Sequence, residues 1–249
     1  MEGRQMGILC LNKTFEDPAF NLALDEALLE KAEQGLQPAI LRIWEPESPM
    51  VVLGRSSPYE LEVNQEFCKA RKIPVLRRSS GGQSIVTGPG CLMYCLLVSY
   101  ESQPHTRALD QAHQYVMRQI QDALGKRNIE TVFQGTCDLT YHGKKFSGNS
   151  LRCKRDHFIY HGTLLYDFPL ELISGCLGQP ARQPEYRENR SHQEFVTNLP
   201  ATRDELVDVL TTAFRATNSS SEWHEKLTTD LAHQKYRLAH WTKTGKLKP

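Results

Sequence analysis

Arg77-Arg78-Ser79-Ser80-Gly81-Gly82 sets two guanidinium groups beside two residues without side chains. Backbone N–H groups that a ligand can approach closely, together with planar forks of donors, suit a phosphate or a carboxylate. The plainer reading is a glycine bulge with solvated arginines. A second candidate is Lys144-Lys145-Phe146-Ser147-Gly148, which reads as a strand returning from a turn at His142-Gly143. A lysine fixed on a strand can hold a phosphate, or an oxygen on which negative charge develops. Only one of the two lysines can face inward, because strand neighbours point to opposite sides. The alternative is an exposed Lys-Lys hairpin. His161 could act as an acid or base, or could sit neutral and hydrogen-bonded in a core. The spacing of His142, His157 and His161 matches no zinc signature. Arg55 follows an apolar run, as either an anion ligand or a solvated loop residue. Arg152-Cys153-Lys154-Arg155 reads as a solvated loop, or more sharply as a docking patch for a carrier protein.

These residues need a scaffold. Ile73-Pro74-Val75-Leu76 predicts a strand that carries both arginines to the glycine break, and Leu92 to Val98, apolar on both alternating faces, predicts a strand covered on both sides. Ile40 to Trp44 and Met50 to Leu53 predict short strands, with Arg42 and Trp44 on one face. Further strands are expected at Ile129 to Phe133, Asp138 to Tyr141 and Phe158 to Tyr166, the last interrupted at His161-Gly162. Asp17-Pro18 opens a helix reaching Gly35. Its stripe Phe20, Leu24, Ala27 and Leu28 should be buried, with Asp25, Glu26, Glu30 and Lys31 off it. Helices are also expected over Asn64 to Lys72, over Asp110 to Leu124, after the Thr202/Glu205 capping box, and from Trp223 to Tyr236. Arg182 to His192 reads as a surface segment and the residues after Trp241 as a frayed basic tail.

Composition narrows the function. With 30 basic and 29 acidic side chains in 249 residues, the net charge of +1 argues against a nucleic-acid partner held by phosphate neutralisation. Seven cysteines without paired spacing fit a reducing compartment, and no apolar run is long enough for a membrane span or signal peptide. We expect one cytoplasmic domain over residues 1–249.

Three ordered motifs, Arg77 to Gly82, Lys145-Phe146-Ser147-Gly148-Asn149-Ser150 and His161-Gly162-Thr163-Leu164-Leu165, resemble the biotin/lipoate A/B protein ligase superfamily. The likeness is closest to the catalytic domain of lipoate-protein ligase A, and runs from Asn21-Leu22-Ala23 through Arg42-Ile43-Trp44 to Val196-Thr197-Asn198-Leu199. It implies an α+β fold with a mixed, largely antiparallel sheet flanked by helices, of the class II synthetase-like kind. It also implies a reaction. Lipoic or octanoic acid would be activated with ATP and Mg2+ and passed to the lysine of a lipoyl carrier domain, in a 2-oxoacid dehydrogenase or the glycine cleavage H protein. The resemblance assigns catalysis to Lys145, and acyl-adenylate binding to Arg78, Ser80, Gly81, Gly82, Gly148, Asn149, Ser150 and His161, with Asp138 on the metal or nucleotide side.

Two departures stand out. Gln83 occupies a third glycine position, and the asparagines expected near Gly90-Cys91-Leu92-Met93 are absent. Both weigh against ATP use more than against acyl binding, and Gly82-Gln83 followed by Gly88-Pro89-Gly90 looks more like the octanoyltransferase branch, which uses a cysteine thioester and octanoyl-acyl carrier protein; Cys176 and Cys137 are the candidate nucleophiles. A non-catalytic lipoyl- or nucleotide-binding member is the third reading. We expect no C-terminal accessory domain of the kind many full ligases carry, and as a ligase the chain would work alone at reduced efficiency or borrow an accessory subunit.

Overall fold

The computed structural model describes residues 8–178 and 183–247. In chain order the strands are β1 (Leu9–Asn12), β2 (Ile40–Trp44), β3 (Met50–Leu53), β4 (Val75–Arg77), β5 (Ile85–Thr87), β6 (Cys91–Ser99), β7 (Val132–Gln134), β8 (Asp138–Tyr141), β9 (Lys144–Cys153), β10 (His157–Leu165) and β11 (Asn218–Ser219). The helices are α1 (Pro18–Glu33), α2 (Tyr59–Glu62), α3 (Gln65–Ala70), α4 (Leu109–Gly125), α5 (Glu171–Cys176), α6 (His192–Phe195), α7 (Arg203–Ala213), α8 (Glu225–Leu231) and α9 (Ala239–Thr244).

Eight strands form one sheet in the order β11-β1-β2-β6-β10-β9-β8-β7, and β4-β3-β5 form a smaller one. Pairing is parallel at β1/β11, β1/β2 and β3/β4 and antiparallel elsewhere, the mixed sheet of the expected α+β class.

β6 shows how the layers arise. Its side chains alternate between two apolar surroundings, because successive strand residues point to opposite faces. Leu92, Tyr94, Leu96 and Val98 pack with Val116, Met117 and Ile120 of α4 and with Leu206 and Leu210 of α7. Cys95 and Leu97 pack with Leu24, Leu28 and Leu29 of α1, and Cys91 and Met93 join Trp44 and the small sheet. α7 begins with the expected Thr202/Glu205 capping box.

Several expectations need correction. Asp25 and Glu26 are buried, because α8 and the wide turn Ala232–Tyr236 cover the side of α1 that the sheet leaves open. Glu26 accepts hydrogen bonds from Lys235 (2.7 Å), the Tyr236 hydroxyl (2.7 Å) and Arg152 (2.7 Å). Arg152 and Cys153 therefore end β9 rather than a solvated loop, and Lys154 pairs with Glu30 at 2.5 Å; of that run Cys153 and Arg155 are exposed. β10 passes through His161-Gly162 unbroken, since β6 and β9 pair with it on both sides there. β7 starts at Val132, after Ile129 has closed the end of α4 through a bond to Leu124. Thr242 to Thr244 complete α9 against β4 instead of fraying, and residues 248–249 of the expected tail lie outside the described residues. Arg182 lies outside the described residues, and the rest of its segment buries Arg187 and leads to the buried Phe195 of α6. No described helix is long and apolar enough to cross a membrane.

Candidate functional site

A cavity of about 680 Å³ opens where β9 and β10 meet the small sheet, α5 and α6. Its inner wall is apolar, with Leu22, Trp44, Met93, Leu165, Ile173 and Phe195, and its outer wall carries Arg78, Gly82, Asp138, Lys145, Gly148 and His161. An apolar pocket with a few convergent polar groups suits a ligand with an acyl tail and an anionic head.

Lys145 reaches this wall through a β-bulge. The register steps from Leu139↔Ser147 to Thr140↔Lys145, so Phe146 is the extra residue, and its ring is fully buried. Such a bulge re-aims a side chain. Lys145 faces the cavity and Lys144 faces solvent, as the alternation requires. Lys145 Nζ lies 2.7 Å from Asp138 Oδ1, and Tyr186 donates its hydroxyl to Asp138 Oδ2 at 2.7 Å. A Cβ on Gly148 would sit 2.8 Å from Nζ, so the glycine leaves the space in which the lysine lies across that strand. Burial and the Asp138 carboxylate push the Tyr186 phenol well up, which keeps it a donor. The ammonium is thus a fixed donor at the cavity wall.

The two arginines after β4 part company. Arg77 turns away and is 1% exposed. Arg78 lines the cavity and curls back on its own loop, donating to Ser80 Oγ (3.0 Å) and to the carbonyls of Gly81 (3.1 Å), Gln83 (2.9 Å) and Val52 (3.3 Å). Burial lowers its pKa to about 10, so it stays a cation at neutral pH, and these acceptors are all neutral oxygens. Glu62 holds the far side of the loop by accepting from the Ser84 N–H (3.0 Å) and hydroxyl (2.5 Å). Gly82 has φ +82, and a Cβ there would press on Arg78 Nη2 at 2.9 Å. Gly81 faces open space and contributes its carbonyl, which also accepts from Ser150 Oγ at 3.0 Å.

His161 and Ser80 belong to a chain of contacts that sequence did not reveal. Ser80 Oγ lies 2.6 Å from His161 Nε2, His161 Nδ1 lies 3.5 Å from Asp25 Oδ2, and Arg42 Nη1 lies 2.6 Å from Asp25 Oδ1. A carboxylate beside Nδ1 places the proton there, so in the neutral ring Nε2 accepts from the serine hydroxyl. The order resembles a nucleophile relay, but Ser80 is 2% exposed and Arg78 already donates to its Oγ. The chain is a strut tying the loop to α1 and β2. Burial pushes the Asp25 carboxyl up, and Arg42 and His161 pull it further down, leaving it below the usual carboxylate range.

Asn149 faces the α4 side. It accepts from the Tyr94 hydroxyl at 2.6 Å and donates to the Cys137 carbonyl at 2.8 Å and to Ser147 Oγ at 3.0 Å. It fixes the Cys137 turn while still bordering the cavity. Cys137 also lines the cavity, with its Sγ 2.8 Å from the Asn149 carbonyl; burial and Asp138 raise its thiol against the opposing pull of Lys145 and Arg78.

Cys176, the other candidate nucleophile, lies apart from these groups. It is fully buried beside Cys68, away from the cavity lining, and burial pushes its thiol up to about 12. A catalytic thiol needs partial exposure and a lowered pKa. Cys176→Ala is expected to leave acyl transfer within about twofold of wild type, because the side chain serves packing. Loss of transfer in a variant that keeps its thermal midpoint would restore the thioester there.

The fold is a mixed α+β sheet with helices on both faces, and its cavity combines an apolar wall with cationic side chains. The family model of the lipoyl protein ligase A/B catalytic domain matches residues 17–216, and the chain belongs to that family. A probable lipoate-protein ligase A of Mycoplasma genitalium is 30% identical over 152 residues, 61% of this chain and 44% of that protein. The octanoyltransferase LipM of Oceanobacillus iheyensis is 25% identical over 207 residues, 77% of this chain and 76% of that one. Two solved structures share the fold at 20% identity: a bi-partite lipoate protein ligase from Thermoplasma acidophilum, studied with its E2 lipoyl domain (TM-score 0.83, 98% of this chain and 99% of that one), and a lipoate-protein ligase A bound with ATP (TM-score 0.81, 97% and 100%). The chain spans about half the length of the mycoplasma ligases it matches.

Proposed function

We propose that this chain is an enzyme that attaches a lipoyl or octanoyl group to the lysine of a lipoyl carrier domain, by forming an acyl-adenylate from ATP and the free acid with release of pyrophosphate. The observation that carries the reading is the pairing, on one cavity, of a lysine fixed across Gly148 by Asp138 with a buried arginine whose acceptors are neutral. The apolar wall would take the acyl tail. Arg78 and the loop N–H groups would hold the phosphate, bringing two anions together without repulsion. Lys145 would hold the carbonyl or phosphate oxygen while the carrier lysine attacks the acyl carbon and AMP departs. The likeness to an ATP-bound ligase supports the nucleotide.

Magnesium fits as an ion carried on the nucleotide phosphates with one protein carboxylate, which Asp138 would supply. Among the described residues no cluster of three or more His, Cys, Asp or Glu forms a metal cage. The ion would neutralise phosphate charge; the chain's own residues do the orienting.

One observation favours a second reading. Cys137 lines the cavity near the Lys145–Asp138 pair, within reach of an acyl group held there, although its thiol, raised by burial and Asp138, is less ready than a catalytic cysteine's. Intact mass of an apo lipoyl domain separates the two. Octanoate is expected to add to the carrier only with ATP and magnesium, and preformed octanoyl-adenylate to add without them. Gain from octanoyl-acyl carrier protein alone, abolished by Cys137→Ala, would install the transferase instead. No gain from preformed octanoyl-adenylate would remove the ligase reading.

A further inference from the structure

Residues 225–245 lie beyond the stretch that matches the family, yet they reach the arginine loop directly. The Trp241 indole N–H donates to the Arg77 carbonyl at 2.9 Å. The N–H of the same peptide unit, on Arg78, donates to the Leu53 carbonyl at 2.9 Å. The plane between Arg77 and Arg78 is therefore pinned from both sides, which fixes the direction in which Arg78 leaves the chain.

The Arg77 side chain completes the grip. Its guanidinium donates to the carbonyls of Thr242 (2.8 Å) and Lys243 (3.3 Å) at the end of α9, and to those of Gly54 (2.6 Å), Arg55 (3.0 Å) and Ser57 (2.8 Å). A cation there satisfies last-turn carbonyls that the helix leaves unpaired. Gly245 ends α9 at φ +66, where a Cβ would lie 2.4 Å from the Arg55 carbonyl. Trp241 is itself held from α1. Lys235 Nζ sits 4.3 Å above the indole ring and Tyr236 packs edge-on to it, and both side chains bond to Glu26.

We propose that α9, through Trp241 and Arg77, is the positioning element for the Arg78 loop, and sets affinity for the phosphate of the acyl-adenylate but not for the free acid. The inference rests on the acyl-adenylate reading of that loop. It goes further in placing control of the loop in the C-terminal helix.

The test is a pair of dissociation constants, one for a non-hydrolysable octanoyl-phosphonate analogue of the adenylate and one for octanoic acid, with thermal midpoints alongside. Trp241→Phe keeps an aromatic ring under Lys235 and removes the indole N–H. It is expected to weaken the analogue about tenfold, the scale of one lost hydrogen bond, and to leave octanoic acid within about twofold. Gly245→Ala should shift the constants in the same direction by straining the end of α9, and carries the test if Trp241→Phe does not fold. Equal weakening of both ligands would mark a merely structural role and overturn the inference. Wild-type affinity for the analogue in both variants would overturn it while leaving the adenylate reading in place. A wild-type chain that binds octanoic acid and not the analogue would remove both.

Discussion

Lys145→Ala is expected to slow acyl transfer about 100- to 1,000-fold, the cost of removing one preorganised donor from an oxyanion, while the chain remains folded. The side chain is 29% exposed, and its one ion pair among the described residues is to Asp138, which is itself buried beside the cavity. Its loss leaves that carboxylate with the Tyr186 hydroxyl, so the thermal midpoint should fall by several degrees while the chain still folds. Lys145→Arg should not rescue the rate. A guanidinium is longer and planar, and the Gly148 strand accommodates a slender chain lying flat on it. The measurement is single-turnover transfer from preformed octanoyl-adenylate to an apo lipoyl domain, which bypasses activation. Turnover near that of wild type would take Lys145 out of the transfer step.

Much of the architecture was legible because some faces obey one period. α4 and α7 each bury one stripe against the sheet and leave the other in water, so 3.6-residue spacing found them. β6, apolar on both faces, read correctly as a covered strand. α1 defeated the same logic. It has a sheet below and α8 with the Ala232–Tyr236 turn above, and an amphipathic template takes Asp25 and Glu26 for solvated charges when each has a cation partner inside the protein. The signal was present in Arg42, a charge in the middle of a short apolar strand, which could be buried only if a carboxylate met it. Spacing could not name Asp25 as that carboxylate, since the topology makes the pairing. The three site motifs did converge, because β9 and β10 pair Ser150 with His161 and the loop crosses above them. Two placements could not be read from the sequence for lack of depth information. Position along the chain suggested Cys176 beside the site, whereas α5 turns it into the core; adjacency suggested that Arg77 and Arg78 act together, whereas consecutive residues diverge.

Arg42→Met should be the most destabilising substitution near the site, costing about 3–5 kcal/mol at neutral pH, a large part of a typical domain's stability. Arg42 is fully buried, and donates to Asp25 (2.6 Å), to the Asn21 carbonyl (2.7 Å) and side chain (2.8 Å), and to the Lys13 carbonyl (3.0 Å). Methionine fills the space but leaves Asp25 buried with His161 and the Cys95 thiol as its remaining partners. The pH dependence gives the argument its sign. In wild type the Asp25 carboxyl lies below its usual range, so its contribution is present at neutral pH and lost as the pH falls through the folded-state pKa. Without Arg42 the burial effect, already the largest acting on that carboxyl, goes unopposed by the guanidinium and turns the shift upward. A raised carboxyl favours folding when protonated, so the variant should recover on wild type as the pH is lowered from neutral. Urea denaturation of both chains at neutral and mildly acidic pH measures the gap at each. A gap below about 1 kcal/mol at neutral pH, or one that does not narrow on acidification, would show that Arg42 is not what holds Asp25 ionised, and would sever the strut from Arg42 to Ser80 at its base.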